Sequence, residues 1–229
     1  MDQNKPGSLN RMPNCDHYYG KVFAHVAGAL GMAAGSAEFI DLSSIFHNTA
    51  HPILMFFVVL ALTLFLLWGL FITEPGSPLK YILFVLFAVA IGQTLQPLVK
   101  RLQTKKLITR ILVLTTGVFL GMMIIGFIDD QNTLGFGPYL MAALIGLVIA
   151  QVILIFISPT RATQSWISFF GAGLFALLTV YDTQVIKENK QVCNALNKRG
   201  IHPDYPKESI ELFLDFVNLF SNLAQHMNS

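Results

Sequence analysis

The chain has 229 residues, of which 54% are hydrophobic and 12% charged, and its formal net charge is +2. A soluble domain carries about 25% charged residues, and half that density cannot cover a water-facing surface of this size. Disorder, an ordinary soluble enzyme and a nucleic-acid-binding module are therefore excluded. A mean hydropathy of +0.59 leaves an integral membrane protein.

In chain order, residues 1–20 are polar and include Lys5, Arg11 and Asp16. They are expected to form a cytosolic segment with no cleaved signal peptide. Seven apolar segments follow, at about 22–39, 53–72, 81–99, 111–128, 134–157, 166–181 and 210–224. A hydrocarbon core of about 30 Å takes about 20 helical residues, and most of these runs approach or exceed that length. Strand alternation is absent, so helices are the spanning structure. The expected fold is an all-α seven-helix transmembrane bundle. Breakers such as Pro75, Gly76 and Pro78 or Pro159 mark short loops, and no linker divides the chain. Residues 1–229 thus read as a single integral membrane domain. With the amino terminus in the cytosol and all segments crossing, nine Lys and Arg residues fall on the cytosolic side and six opposite. The positive-inside rule favours that orientation, although the basic run 100–110 opposes it.

A charge at the bilayer centre costs about 2.5–3.5 kcal/mol on insertion scales. Polar residues within the apolar segments are thus the first candidates for function. Asp182 ends the sixth run, and Asp215 sits in the middle of the seventh. Glu211, Asp215, Asn218 and Asn222 are spaced four, three and four residues apart, so they share one helix face. Such a stripe would line a hydrated path inside a bundle. Alternatively, the seventh segment lies flat on the membrane surface, and Asp182 caps a span or meets headgroups. If the two aspartates meet in a low-dielectric site, they cannot easily ionise together and would titrate as a pair. A shared proton would hold their helices together. Its loss would leave two anions that repel each other and attract a cation. Calcium, a hard ion with oxygen ligands, suits such a pair as a conducted ion rather than a stored one.

Other features read more simply. Glu38 is expected at the interface and His25 in helix packing. Gly31 and Gly35 form a GxxxG pair, extended by Gly28, which implies close packing within a monomer, with dimerisation as the lesser alternative. Gly171-Ala172-Gly173 lies inside a span and is no nucleotide loop. Pro97 is expected to kink or end the third span. The basic run 100–110 is expected to face headgroups. Cys15 and Cys193 are the two cysteines, with no spacing that suggests a disulfide framework or a metal site.

The strings VYDTQVI (180–186) and LFLDFVNLF (212–220) resemble the two terminal signatures of the transmembrane Bax inhibitor motif family, Bax inhibitor one branch. VFAHVAGAL (22–30) is similar to that family's first span, and GQTLQP (92–97) to its third. The resemblance implies a seventh helix at the bundle's centre, wrapped by the others. It also implies a pH-sensitive calcium leak across an intracellular membrane, most often the endoplasmic reticulum, and suppression of apoptosis. It makes Asp182 and Asp215 the pH sensor and the calcium-pathway ligands, beside the pore-lining candidates Glu211, Asn218 and Asn222. The chain departs from the family pattern in three places. No Arg or Lys occurs in 68–75, where bacterial relatives carry an arginine that locks onto the carboxylates, and Lys80 is the nearest cation. The lysine-rich tail of some relatives is missing, and Gln96 stands where some carry Glu.

The leading functional expectation is a proton-gated calcium leak, with calcium, protons and lipid as partners and no resident cofactor. The alternative is a non-transporting adaptor that binds Bcl-2-type membrane proteins. An intramembrane aspartyl protease would need a GxGD-like second motif, which Phe213-Leu214-Asp215 lacks, so no enzyme is expected. A proton–calcium exchanger would use the same carboxylates as a leak.

Overall fold

The computed structural model describes residues 15, 17–40, 52–129, 133–157, 159–197 and 203–228. Most of the expected cytosolic segment 1–20 lies outside the described residues. Among the described residues seven α-helices run in order: α1 (Tyr18–Phe39), α2 (Pro52–Ile72), α3 (Pro78–Thr104), α4 (Ile108–Ile128), α5 (Gly137–Phe156), α6 (Arg161–Asn197) and α7 (Tyr205–Asn228). A 3-10 turn at Thr133–Phe136 leads into α5. Among the described residues there is no strand. The hairpin between α2 and α3 turns at Gly76, whose φ of +79° only glycine adopts readily, and Pro78 opens α3 where no amide donor is needed.

Among the described residues five helices are long and apolar enough to cross a membrane: α1, α3, α4, the stretch Leu134–Leu154 that covers most of α5, and α6 through Cys193. The described apolar part of α2, Phe57–Ile72, is shorter. Lys207, Glu208, Glu211 and Asp215 make α7 the polar member of the set. It is also the innermost, since Lys207 is its single exposed residue. Helices α6, α1, α4 and α3 pack around it. Burying α7 on all sides gives its polar groups protein partners instead of hydrocarbon, which is the arrangement its composition demands. By contrast, α2 leans mainly on α3, and no residue of the apolar window in α5 is buried. The exposed apolar side chains of α2 and α5 are what a bilayer would cover.

Helices α1 and α3 approach most closely at Gly92, where a Cβ would lie 2.2 Å from the Ala33 carbonyl oxygen. Amide side chains fasten the same seam. Gln93 Nε2 donates to Ser36 O at 2.7 Å, Gln96 Nε2 donates to Ile40 O at 2.8 Å, and Ser36 Oγ donates to Val89 O at 2.9 Å. Gln96 therefore acts here as a donor, a role that an ionised Glu could not fill.

Four expectations are corrected. The GxxxG glycines do not make the close packing within the monomer. A Cβ at Gly28, Gly31 or Gly35 would meet nothing within 4 Å, and the packed face of α1 is Ala29, Ala33 and Ala37. Of the two outcomes expected at Pro97, a kink or an end, the end is overturned, because α3 continues to Thr104 with Pro97 inside it. The sixth helix does not stop near Asp182 but runs on to Asn197, so Asp182 lies well inside it. Finally, Cys15 and Cys193 form a disulfide, with Cα atoms 6.3 Å apart. Their separation of 178 residues hid a contact that only the folded bundle creates.

Candidate functional site

The antiparallel seam between α6 and α7 carries the polar residues singled out in the sequence. Asp182 is 9% exposed and Asp215 4% exposed, and their carboxyl groups face each other across the seam. Two carboxyl groups can hydrogen-bond to each other only when one of them holds a proton. Asp215 also faces Thr179, one turn before Asp182 on α6. Its Oδ2 atom is buried without a hydrogen-bond partner. The charged neighbour that acts on both is a third acid, Glu211, one turn from Asp215 on α7. The site therefore concentrates acid groups in a buried place. Among the described residues, no group of three or more His, Cys, Asp or Glu is placed to hold a metal ion.

The polar column continues in both directions. Toward the amino-terminal end of α7, Glu208 extends the Glu211–Asp215 spacing by one more turn. Asn189 Nδ2 donates to Glu208 Oε2 at 2.6 Å, and the Tyr18 hydroxyl donates to the same carboxyl. Toward the other end, Asn218 Nδ2 donates to Leu214 O at 2.9 Å, and Asn222 Nδ2 donates to Asn218 O at 2.8 Å. Gln151 of α5 reaches in and donates to Asn222 Oδ1 at 3.5 Å. Beyond it, Ser168 Oγ donates to Gln225 Oε1 at 3.4 Å, and Ser165 bonds His226 at 2.8 Å. All five residues expected at the site lie on this seam.

Two contributors escaped the sequence reading. Glu208 had a signal, since Glu208, Glu211 and Asp215 repeat at three and four residues, but it precedes the apolar run. Gln151 also had one, as a single amide inside the uncharged fifth segment. The cation nearest the expected lock position points elsewhere. Lys80, 1% exposed, pairs with Asp204 just ahead of α7 and donates to Thr73 O at 2.8 Å. Deleting one partner of such a buried pair costs about 3–5 kcal/mol, because it strands the other charge. Glu38 lies exposed at the end of α1, bonded by Gln103 at 2.5 Å. His25 donates from Nδ1 to the Lys21 carbonyl at 2.7 Å and stacks on Tyr205.

A family model described as "Inhibitor of apoptosis-promoting Bax1" matches residues 15–229. The chain belongs to the Bax inhibitor family. It is an integral membrane protein of that apoptosis-inhibitor family. Within the family it is similar to the "Inner membrane protein YbhL" of Escherichia coli (strain K12), at 28% identity over 84% of this chain and 80% of that protein. It is similar to "Protein LIFEGUARD 4" of Arabidopsis thaliana at 28% identity, covering 82% of this chain and 73% of the relative. "Bax inhibitor 1" of Schizosaccharomyces pombe is 26% identical over 90% of this chain and 73% of its own length.

Proposed function

We propose that this protein is a pH-sensitive calcium leak channel of an intracellular membrane, the endoplasmic reticulum in the first instance, and that the leak is how it suppresses apoptosis. The observation that carries this reading is the close approach of the Asp182 and Asp215 carboxyls inside the bundle. With one proton between them, the two carboxyls tie α6 to α7 and the seam stays closed. When that proton leaves, two anions face each other beside Glu211. Their repulsion loosens the seam, and their charge draws a divalent cation into it. Two carboxylates with few further ligands bind calcium weakly, which suits passage. Glu211, Asn218 and Asn222 line the path on either side. The chemistry is transport without catalysis, and no resident cofactor takes part.

The test is calcium flux into dye-loaded liposomes carrying the purified protein, measured from acid to neutral pH. Wild-type flux should rise with pH. In Asp215→Asn the site can no longer gain a second anion. Flux should then fall by about tenfold or more at neutral pH and lose its pH dependence. Flux that is absent at every pH, or unchanged in Asp215→Asn, would overturn the leak and leave an adaptor that binds Bcl-2-type membrane proteins. Simultaneous counter-movement of protons would mark exchange instead.

A further inference from the structure

The far half of the α6–α7 seam contains a contact that the acid pair does not explain. A Cβ on Gly171 would lie 2.3 Å from Asn222 Oδ1 and 2.7 Å from Asn222 Cγ. The Asn222 amide is therefore seated directly on the backbone of α6, in a space that exists because residue 171 has no side chain. Asn222 is 3% exposed. It is held from two further sides, by its own bond to Asn218 O at 2.8 Å and by Gln151 Nε2 at 3.5 Å. It lies two turns from Asp215, about 10 Å along the α7 axis. Beyond it the seam is polar again, with Ser168, Gln225, Ser165 and His226. Polar groups thus recur along the α7 side of the seam, and at one level a buried amide fills it from helix to helix.

We infer that Asn222, seated on Gly171 and steadied by Gln151, is a second closed constriction of the path, in series with the Asp182–Asp215 pair. This rests on the leak reading of the same seam. The amide suits the task because it blocks a cation sterically while both of its own buried polar atoms keep partners, Nδ2 on Asn218 O and Oδ1 on Gln151. Sideways escape is unfavourable. The cavity of about 680 Å³ beside it is lined by apolar residues such as Leu147, Ala172, Leu219 and Leu223, where the amide would lose its bonds. Opening at this level therefore requires α6 and α7 to separate, which is the motion that repulsion between the two aspartates would drive.

The same liposome assay separates the alternatives, using Asn222→Ala, Asn222→Leu and Gln151→Leu. Each variant is checked for helical content and monodispersity beforehand. Asn222→Ala removes the obstruction and should raise the initial calcium flux about five- to tenfold while keeping the pH dependence. Asn222→Leu keeps the bulk and removes the polar surface, so flux should fall below wild type. Gln151→Leu frees the amide and should raise flux by a smaller factor. A merely structural role would move the Ala and Leu variants in the same direction. Wild-type flux that is unchanged in Asn222→Ala, or changed alike in both variants, overturns the constriction and leaves the leak standing. Silence in folded wild type and in all folded variants overturns both readings. If the Ala variant fails to fold, the Leu and Gln151 variants decide, because opposite effects are required of them.

Discussion

Single residues on the seam are governed by what each carboxyl can find as a partner. Glu208 lies ahead of the apolar segment 210–224, at the end of the acid column. Burial pushes its carboxyl above the usual Glu range. The bonds from Asn189 and Tyr18 pull it back, Asp204 adds to the upward push, and Lys207 opposes it. A carboxyl raised in the folded state contributes stability that is complete below its usual value and is lost as pH rises through the folded one. Glu208→Gln should therefore flatten the decline of thermal stability above the ordinary Glu range, read as the unfolding midpoint in detergent at a series of pH values. Asn189→Leu should have the opposite effect. It removes a donor to a charged acceptor, costing about 1.5–3 kcal/mol at neutral pH and less in acid. An Asn189→Leu protein that is equally stable relative to wild type at both ends of the series would contradict this role. Asp182, Asp215, Glu211, Asn218 and Asn222 were legible in the sequence because a polar group at bilayer depth must face protein. Glu208 was not, because a Glu outside an apolar run is ordinary.

Helix-level features were legible where composition forces them and obscure where geometry decides. The four-three-four stripe pointed to an α7 inside the bundle, since a polar face in lipid has no partners, but a helix lying on the membrane surface fitted it too, and the burial of α7 decides between them. Glycine was the poorer guide. The GxxxG pair on α1 looks like a packing motif, yet its glycines face away from the bundle, while the close approach to α3 is made by Ala33 against Gly92. Which small residue is touched depends on the rotation of the helix about its axis, which periodicity alone does not fix. The two glycines should therefore respond differently to a methyl group. Gly92→Ala forces backbone apart and should destabilise the protein by about 1–3 kcal/mol or more. Gly31→Ala fills open space and gains helix propensity, so it should be neutral or stabilising by up to about 1 kcal/mol. Denaturation in detergent would show the order, and equal losses at the two positions would refute the α1–α3 seam. The length of α6 was obscure for a related reason. Past Asp182 its sequence turns polar, which ends an apolar run without ending a helix.

At the scale of the whole molecule, the disulfide between Cys15 and Cys193 joins the approach to α1 with the end of α6. Both cysteines must then lie on one face of the membrane, so the chain between them crosses an even number of times. The positive-inside rule predicts that this face is cytosolic, whereas a lasting disulfide belongs to an oxidising compartment. Labelling reduced protein in sealed vesicles with a membrane-impermeant maleimide should modify both cysteines from the same side, and that side identifies the compartment. Labelling from opposite sides would break the pairing. The most direct measurement on the shared proton is infrared difference spectroscopy of the purified protein, titrated through the pH range in which calcium flux appears. One protonated-carboxyl band should be present while flux is off and fade as flux rises, and it should be altered in both Asp182→Asn and Asp215→Asn. A spectrum with no such band in the non-conducting state, or a band indifferent to both substitutions, would contradict a proton held between the two aspartates.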